Sequence, residues 1–357
     1  MQPTTDFATA LHDALSDALA DRRRRCEEID PAIGEAAGML TEFVLDGGKR
    51  LRPTFAWWGW LGARGDTDPA AVVRAVAALE LLQAAALLHD DVFDGSTTRR
   101  GRPTVHVRLA GTHRTAGWSG DADRFGTAGA ILLGDLALTW ADDVLRDAGL
   151  PPAALRRAGP AWSAMRTEVL AGQYLDLRAQ AAGDETEESA LRVALFKSAA
   201  YTVARPLQLG GAIAGAPAAL MDAYHRFGSD IGIAFQLRDD LLGVFGDPAV
   251  TGKPAGDDLR EGKRTLLVAL ALRAATASGA AAAGDAVRAA LGCATLSASQ
   301  LDAARGALVA LGAADAVEKR IATLTDSALA ALDTAPVEPA AARRLTELAH
   351  AATRRDS

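Results

Sequence analysis

Apolar residues recur at spacings of three and four along most of the chain, the pattern of helices that bury one face. The pattern is clearest over residues 70–94, where apolar positions extend most of the way around the helix. We therefore expect a central, largely buried helix there. Further helices are predicted over residues 126–145, 152–179, 187–213, 218–245 and 265–275. Pro206 is expected to kink or divide the third of these further helices.

The breaks between these segments are rich in glycine and proline. They fall at residues 62–69, 95–103, 111–126, 182–184 and 246–256. None has the composition of a flexible linker, alternating strand patterns are hard to find, and the alanine-rich residues 276–357 predict plain peripheral helices. The sequence therefore predicts an all-α fold, with residues 1–357 forming one domain, a single large helical bundle.

Composition narrows the class of protein. The 357 residues are 49% hydrophobic and carry a net charge of −7, which argues against disorder and against a surface that coats nucleic acid. Cys26 and Cys293 give neither a disulfide framework nor a zinc spacing. The best candidate for a membrane span, residues 128–140, is short and contains Asp135, and the first residues lack the features of a signal peptide. We expect a soluble, cytoplasmic protein with no membrane span and no nucleic-acid partner.

Three aspartates stand at the C-terminal end of the most apolar predicted helix, at Asp90, Asp91 and Asp94. Asp90 and Asp94 are four residues apart, so both carboxylates project from one helix face and repel each other, at the end where the helix dipole disfavours negative charge. A bound divalent cation removes these conflicts, and oxygen ligands without histidine or cysteine favour Mg²⁺. The alternative is an exposed acidic helix end with no role.

A second acidic group, Asp239 and Asp240, follows another apolar helical run and precedes a Gly/Pro break. Two such groups predict facing helices that hold several metal ions between them. Lysine and arginine beside glycine, a combination that suits an anionic oxygen cluster, recur at residues 47–53, 99–103, 252–254 and 262–264. Each basic cluster taken alone could be an ordinary solvated loop.

None of the Gly-Lys pairs has the spacing of a P-loop, so the phosphate partner is not expected to be a nucleotide held in the usual way. An apolar helical interior with magnesium carboxylates and cations at its mouth suits a molecule with an apolar tail and a diphosphate head. Metal ions and cations stabilise a leaving diphosphate, so that its carbon–oxygen bond can ionise to an allylic cation.

With these motifs the chain resembles the trans-isoprenyl diphosphate synthases, the polyprenyl synthetase family, and bacterial geranylgeranyl diphosphate synthases in particular. The resemblance covers about residues 47–270. It implies an isoprenoid synthase helical bundle with a central apolar tunnel, three Mg²⁺ ions and a homodimer. The substrates implied are isopentenyl diphosphate and an allylic diphosphate (dimethylallyl, geranyl or farnesyl).

The resemblance also implies roles for individual residues. The Mg²⁺ ligands would be Asp90, Asp94 and Asp239. The catalytic set would be Asp90, Asp91, Asp94, Lys197, Gln236, Asp239 and Asp240. The diphosphate of isopentenyl diphosphate would be bound by Lys49, Arg52, Gln83 and Arg100. The allylic diphosphate and the forming cation would be held by Arg99, Lys197, Ser198, Gln236, Lys253 and Lys263. Another family signature lining the site is matched by Gln173 and Asp176.

Two positions depart from the family pattern. The second motif usually ends in a third aspartate, which is Gly243 here; Asp247 lies close by, and we expect metal binding to survive with altered affinity. The family more often has threonine at Ser198, but the hydroxyl is kept.

Chain length is predicted from Ala85 and Ala86, five and four residues before Asp90. In the family, bulky side chains just before the first motif block the tunnel, whereas two alanines leave it open beyond the farnesyl stage. A geranylgeranyl (C20) product is the first expectation, with longer polyprenyl products as the alternative. The stopper could be Leu132, Leu133 or Leu136. The competing interpretation is that both alanines only allow close helix packing.

Two other functions remain open on sequence alone. A class I terpene cyclase shares the first motif, but its second motif normally carries a hydroxyl and a glutamate that are absent here. A catalytically weak subunit of a prenyl synthase is favoured only by Gly243, since all three aspartates of the first motif are intact.

Overall fold

The computed structural model describes residues 5–247 and 256–354, with side chains from residue 7 onward. It confirms the all-α prediction: among the described residues the strands are confined to one two-stranded antiparallel hairpin, β1 (Thr98–Arg99) and β2 (Arg102–Pro103). The chain divides into two compact units, residues 1–162 with 206–217 and residues 163–205 with 218–357. The expected single domain with a central tunnel stays a prediction.

Among its described residues, the first unit contains six whole helices, the hairpin and parts of two further helices. Its helices are α1 (Thr5–Ile29), α2 (Pro31–Leu45), α3 (Leu51–Gly62), α4 (Pro69–Phe93), α5 (Val105–Ala116), α6 (Ala122–Arg146) and the start of α7 (Pro152–Ala182), together with nearly all of α9 (Arg205–Ala214). The helices α1, α2, α3 and α5 were not predicted. The break expected over residues 111–126 begins only at Gly117, because Gly111 lies inside α5.

The second unit contains the rest of α7 and the C-terminal helices. Its described elements are α8 (Glu187–Val193), a π-helix (Ala194–Ala204), α10 (Ala218–Phe245), α11 (Asp257–Arg260), α12 (Leu266–Ser278), α13 (Ala281–Ala290), α14 (Ala298–Ala310), α15 (Ala313–Asp333) and α16 (Pro339–Thr353). Helices α13 to α16 follow residue 275, as the alanine-rich sequence suggested, and their peripheral character stays a prediction. The apolar faces of α13, α14 and α15 bury Val287, Leu308 and Val317 in one core with Leu267 of α12 and Leu237 of α10.

Helix α4 matches the predicted central helix within one residue at each end. Asp68 begins it by accepting hydrogen bonds from the N–H groups of Ala70 and Ala71, and Pro69 occupies the first turn. By length and hydropathy α4 is the one helix among the described residues that could cross a membrane, so the expectation that residues 128–140 are the best candidate was wrong. However, 78% of its most apolar window is buried inside the protein, as in a core helix. The absence of a membrane span stays a prediction.

The segment predicted as one helix over residues 187–213 changes its geometry twice. It runs as α8, then as the π-helix, and returns to α-helical geometry as α9 at Arg205, immediately before Pro206. The division at Pro206 is thus confirmed, although the π-helix itself was not foreseen. Pro206 has no N–H to donate to the preceding turn, which favours a change of hydrogen-bond register there.

Three glycines let α7 and α10 approach the backbone of the π-helix. A Cβ at Gly172 would lie 2.1 Å from the nitrogen of Lys197, and one at Gly232 would lie 2.4 Å from the Cα of Ala199. Gly228 makes the same approach at the end of the π-helix, where a Cβ would lie 2.3 Å from the Cα of Ala204. These contacts fix the position of Lys197 and its neighbour Ser198 within the second unit.

Candidate active site

The first acidic group lies at the C-terminal end of α4, where the N–H of Asp94 donates to the carbonyl of Asp90 and closes the last turn. Asp91 is buried, with 1% of its surface exposed. Arg99 of β1 bonds both preceding aspartates: its Nε donates to Oδ1 of Asp91 at 2.7 Å and its Nη2 to Oδ2 of Asp90 at 3.1 Å. The hairpin turn through Arg100 and Gly101, both with positive φ, returns the chain beside this pair.

Burial and these contacts shift the pKa values of Asp91 and Arg99. Burial raises the pKa of Asp91 to about 6, although the charge and hydrogen bond of Arg99 act against the rise; the charges of Asp90 and Asp94 add to it. Burial alone would lower the pKa of Arg99, but the charges of Asp91 and Asp90 outweigh it and the pKa is raised. The end of α4 therefore holds excess negative charge that one guanidinium only partly balances.

A basic segment of the first unit begins in the loop between α2 and α3. Gly47 and Gly48 have φ of +115° and +108°, a region that glycine enters without steric cost. A Cβ at Gly48 would lie 3.3 Å from Nη2 of Arg100, whose guanidinium also lies over the ring of Phe43 at 5.9 Å. The first unit thus contains Lys49, Arg52, Gln83 and Arg100, the four residues predicted to bind isopentenyl diphosphate.

The side chain that orders this loop, Arg50, was not predicted from the sequence. Arg50, between the two predicted ligands Lys49 and Arg52, forms an ion pair with Glu80 of α4. Arg50 also has φ +49°, a left-handed conformation that costs a non-glycine residue about 1–2 kcal/mol. Glu80 is the single acidic residue between residues 70 and 89, and a lone carboxylate inside so apolar a helix was the available signal.

The second acidic group lies on α10 and joins a chain of polar side chains. Nε2 of Gln236 donates to Oδ1 of Asp240 at 2.7 Å, and the hydroxyl of Ser198 donates to Oε1 of Gln236. Burial, followed by the charge of Asp258, raises the pKa of Asp240 to about 8 against the opposing hydrogen bond from Gln236. Three predicted residues of the second unit are therefore connected by hydrogen bonds, from Ser198 to Gln236 and from Gln236 to Asp240.

Lys197 contacts a different carboxylate from its neighbour Ser198. Its Nζ lies 2.5 Å from Oδ2 of Asp176 on α7, and Nε2 of Gln180 donates to the other oxygen of that carboxylate at 3.2 Å. Gln173, one turn before Asp176, has a buried Nε2 with no hydrogen-bond partner among the described residues. Asp176 of the signature thus contacts Lys197, and the assignment of Gln173 and Asp176 to the lining of the site stays a prediction.

The departure at Gly243 has a structural counterpart. A Cβ at residue 243 would lie 2.0 Å from Oδ2 of Asp258, so the carboxylate of Asp258 fills the space beside this glycine. Nζ of Lys263 lies 3.4 Å from Oδ1 of Asp258 and also pairs with Glu261. Asp258 was not among the predicted site residues. Lys253 lies outside the described residues.

The carboxylate oxygens of each unit suit Mg²⁺, provided that water and phosphate oxygens supply the remaining ligands. Within residues 7–247 and 256–354 no group of three or more His, Cys, Asp or Glu side chains is arranged to hold a metal ion. Mg²⁺ usually takes one or two protein carboxylates and completes its octahedron with water and phosphate oxygens, so a larger protein cage is not needed. In the described part of the chain Oδ2 of Asp91 is buried without a hydrogen-bond partner. Magnesium binding by Asp90, Asp94 and Asp239 stays a prediction.

The chain is similar to solved structures of prenyl diphosphate synthases. A solved structure of geranylgeranyl pyrophosphate synthase from Corynebacterium glutamicum, complexed with isoprenyl diphosphate and magnesium, superposes with a TM-score of 0.95. The two are 47% identical, and the match covers 98% of this chain and 99% of the other. The fold is therefore the helical fold of the isoprenoid synthases, which confirms the fold class.

The profile of the polyprenyl synthetase family matches residues 35–295, and the chain belongs to that family. Geranylgeranyl diphosphate synthase of Mycobacterium tuberculosis is 38% identical over 228 residues, 63% of this chain and 59% of the relative's length. Heptaprenyl diphosphate synthase component 2 of Geobacillus stearothermophilus is 34% identical over 268 residues, 74% of this chain and 75% of its own. The predicted family is confirmed, and prenyl-chain elongation agrees with the names of these relatives.

Proposed function

We propose that this protein is a magnesium-dependent trans-prenyltransferase that condenses isopentenyl diphosphate with an allylic diphosphate. The observation that carries the proposal is the end of α4, where an apolar buried helix terminates in three aspartates and Arg99 bonds two of them. The family membership and the isoprenyl diphosphate and magnesium bound by the Corynebacterium structure support the same conclusion.

In this proposal each unit contributes its own anion-binding groups. Lys49, Arg52, Gln83 and Arg100 of the first unit bind the diphosphate of isopentenyl diphosphate. Lys197, Ser198, Gln236 and Lys263 of the second unit bind the allylic diphosphate, together with Lys253. The carboxylates of Asp90 and Asp94 in the first unit and that of Asp239 in the second would hold Mg²⁺, three ions in all, and the metal would neutralise charge on the leaving diphosphate. Arg99 contributes a further positive charge to the binding of the allylic diphosphate.

The reaction begins when the allylic C1–oxygen bond breaks and the bond's electron pair leaves with the diphosphate. Positively charged side chains, that of Lys197 among them, stabilise the leaving group, and the side-chain carbonyl oxygen of Gln236 steadies the carbocation. The double bond of isopentenyl diphosphate then attacks C1, and a proton is lost from the carbon next to the new cation. The released diphosphate accepts that proton, so no histidine base is required.

We propose a C20 product because the side chains just before the first motif are small. Ala85 is buried and Ala86 is partly exposed on α4, and relatives named geranylgeranyl diphosphate synthase are among the most similar. Of the candidate stoppers on α6, Leu132 is 68% exposed in the first unit and does not suit a tunnel floor, whereas Leu133 is 3% exposed. Leu133 is therefore the better candidate.

We also propose a cytoplasmic homodimer. The support is a set of exposed apolar side chains on α6, where Phe125, Ile131 and Leu132 are all exposed, together with Trp118 just before the helix. A second copy would bury this apolar surface and reduce its hydration cost.

The proposal is tested by incubating the purified protein with Mg²⁺, isopentenyl diphosphate and each allylic primer in turn. Chain-length analysis of the products should show incorporation of isopentenyl units and accumulation at C20. A cyclic hydrocarbon formed from the allylic substrate alone would favour the terpene cyclase alternative. The absence of incorporation with every primer would contradict the proposed function.

A further inference from the structure

Arg50 occupies an unusual position at the start of α3. It precedes the first helical residue with a left-handed backbone (φ +49°, ψ +35°), directly after two glycines that also have positive φ. Its carbonyl accepts hydrogen bonds from both the N–H and the hydroxyl of Thr54 and so closes the first turn of α3. This conformation carries a backbone cost for a non-glycine residue, and the contacts of the Arg50 side chain offset that cost.

The guanidinium of Arg50 joins three helices of the first unit. Its Nη1 donates to Oε2 of Glu80 on α4, and Glu80 is only 6% exposed. Its Nη2 donates to the carbonyl of Val44 at 2.7 Å and to that of Leu45 at 3.3 Å. Those carbonyls belong to the last turn of α2, where a positive charge is favourable. Arg50 therefore ties the end of α2, the start of α3 and the middle of α4 together.

The residues flanking this contact are the ones assigned to isopentenyl diphosphate. Lys49 is adjacent to Arg50, Arg52 follows it by two residues, and Gln83 follows Glu80 by three, on the same face of α4. The contact thus links the segment that carries two of these ligands to the helix that carries the third. It also satisfies the positive charge of Arg50, so that this guanidinium does not compete for the diphosphate.

We propose that Arg50 and Glu80 are positioning residues for the isopentenyl diphosphate site: their buried ion pair sets the spacing of Lys49 and Arg52 from Gln83. The inference rests on the proposed function and adds residues that themselves do not contact the substrate. A preformed set of ligands binds more tightly, because its ordering cost is met before the substrate arrives. Loss of the pair should therefore weaken isopentenyl diphosphate binding selectively.

The decisive variant is Arg50→Gly, since glycine adopts φ +49° without strain and the substitution removes the whole side chain, with its guanidinium, at no backbone cost. Arg64→Gly is the matched control, because Arg64 also has a left-handed backbone (φ +55°) but is exposed beyond the end of α3. We expect Arg50→Gly to raise the apparent KM for isopentenyl diphosphate at least about tenfold and to leave the allylic KM within about twofold. Arg64→Gly should leave both KM values within about twofold.

Two further variants keep the test decisive if Arg50→Gly is unstable. Glu80→Gln preserves the shape of the side chain and removes its charge. Arg50→Lys preserves the charge but reaches fewer acceptors. The KM of Arg50→Lys for isopentenyl diphosphate should therefore lie between the values of wild type and Arg50→Gly. Equal changes in both KM values, or a lower Tm with both KM values unchanged, would show that the pair is only structural and overturn the proposal.

The proposed function can fail separately. If the wild-type protein incorporates no isopentenyl units, calorimetric titration with isopentenyl diphosphate alone still compares wild type, Arg50→Gly and Arg64→Gly. Weaker binding in Arg50→Gly alone supports the positioning role, and equal binding in all three proteins contradicts it.

Discussion

The carboxylate of Asp258 occupies the space where any side chain at residue 243 would begin. An ideal Cβ on Gly243 would lie 2.0 Å from Oδ2 and 2.6 Å from Cγ of Asp258, far inside contact distance. Asp258 is 9% exposed and lies 3.4 Å from Nζ of Lys263, so rotating it away would separate this pair. The family's third aspartate therefore cannot be restored at residue 243 without displacing Asp258.

The first prediction is that Gly243→Ala destabilises the protein, although alanine normally favours a helix. Overpacking of this kind costs about 1–3 kcal/mol. Gly243→Asp should be worse, because its carboxylate would also repel that of Asp258, which lies directly beside residue 243. Thermal unfolding of the two variants, measured without Mg²⁺, gives the comparison.

Gly306 supplies the matched control. It lies inside α14 with nothing within 4 Å of an added Cβ, so Gly306→Ala should stabilise the protein by about 0.5–1 kcal/mol. Equal stabilisation by Gly243→Ala and Gly306→Ala would show that Asp258 moves aside at no cost and would contradict the prediction.

The second prediction concerns pH in the metal-free protein. Asp240 has a folded-state pKa of about 8, raised by burial and then by Asp258, against an ordinary value of 3.8. Between these two values the folded protein retains a proton that the unfolded chain has released. The free energy of unfolding therefore falls as pH rises from about 4 to about 8 through this group.

Asp240→Asn removes that dependence. In the presence of EDTA we expect the Tm of wild type to fall between pH 6 and 8, and the Tm of Asp240→Asn to fall less over the same interval. Above pH 8 the variant should be more stable than wild type, since it has no buried carboxylate to ionise. Parallel Tm curves for the two proteins would contradict the assignment of the titration to Asp240.

Local patterns in the sequence predicted helix α4, but they did not predict the long-range contacts of its side chains. Helix α4 and its aspartates followed from local periodicity, because an apolar run ending in carboxylates is visible within 25 residues. The contact of Arg50 with Glu80 spans 30 positions and that of Gly243 with Asp258 spans 15, so no local pattern reveals either pair. The π-helix was also missed, and the glycines at 172, 228 and 232 that pack against its backbone lie on other helices, α7 and α10.

The third prediction separates two residues that lie in contact. Lys197→Gln should lower kcat about 10²-fold, because it removes a positive charge that stabilises the leaving diphosphate. Asp176→Asn should have a smaller effect on kcat and should raise the allylic KM, because Oδ2 of Asp176 orients the ammonium of Lys197 at 2.5 Å. Steady-state kinetics with varied allylic diphosphate distinguish the two effects.

Glu168→Gln is the control for this pair. Glu168 also lies on α7 and forms an ion pair with a cation that follows the π-helix, Arg205, with side chains of similar burial. Its loss should lower Tm and leave the allylic KM unchanged. If Glu168→Gln and Asp176→Asn change the allylic KM equally, the effect of Asp176 is general to α7 and does not act through Lys197.

The last prediction concerns product length and distinguishes the two alanines before the first motif. Ala86 precedes Asp90 by one helical turn on the same face and is partly exposed in the first unit, whereas Ala85 is 3% exposed. Ala86→Phe should therefore shorten the product to C15 or below with little loss of stability. Ala85→Phe should also shorten it, but at a cost of about 1–3 kcal/mol, because a buried site is overfilled. Product analysis with each primer, paired with thermal unfolding, tests both expectations. An unchanged product distribution in both variants would place the chain-length limit elsewhere, and Leu133→Ala would then be the variant expected to lengthen the product.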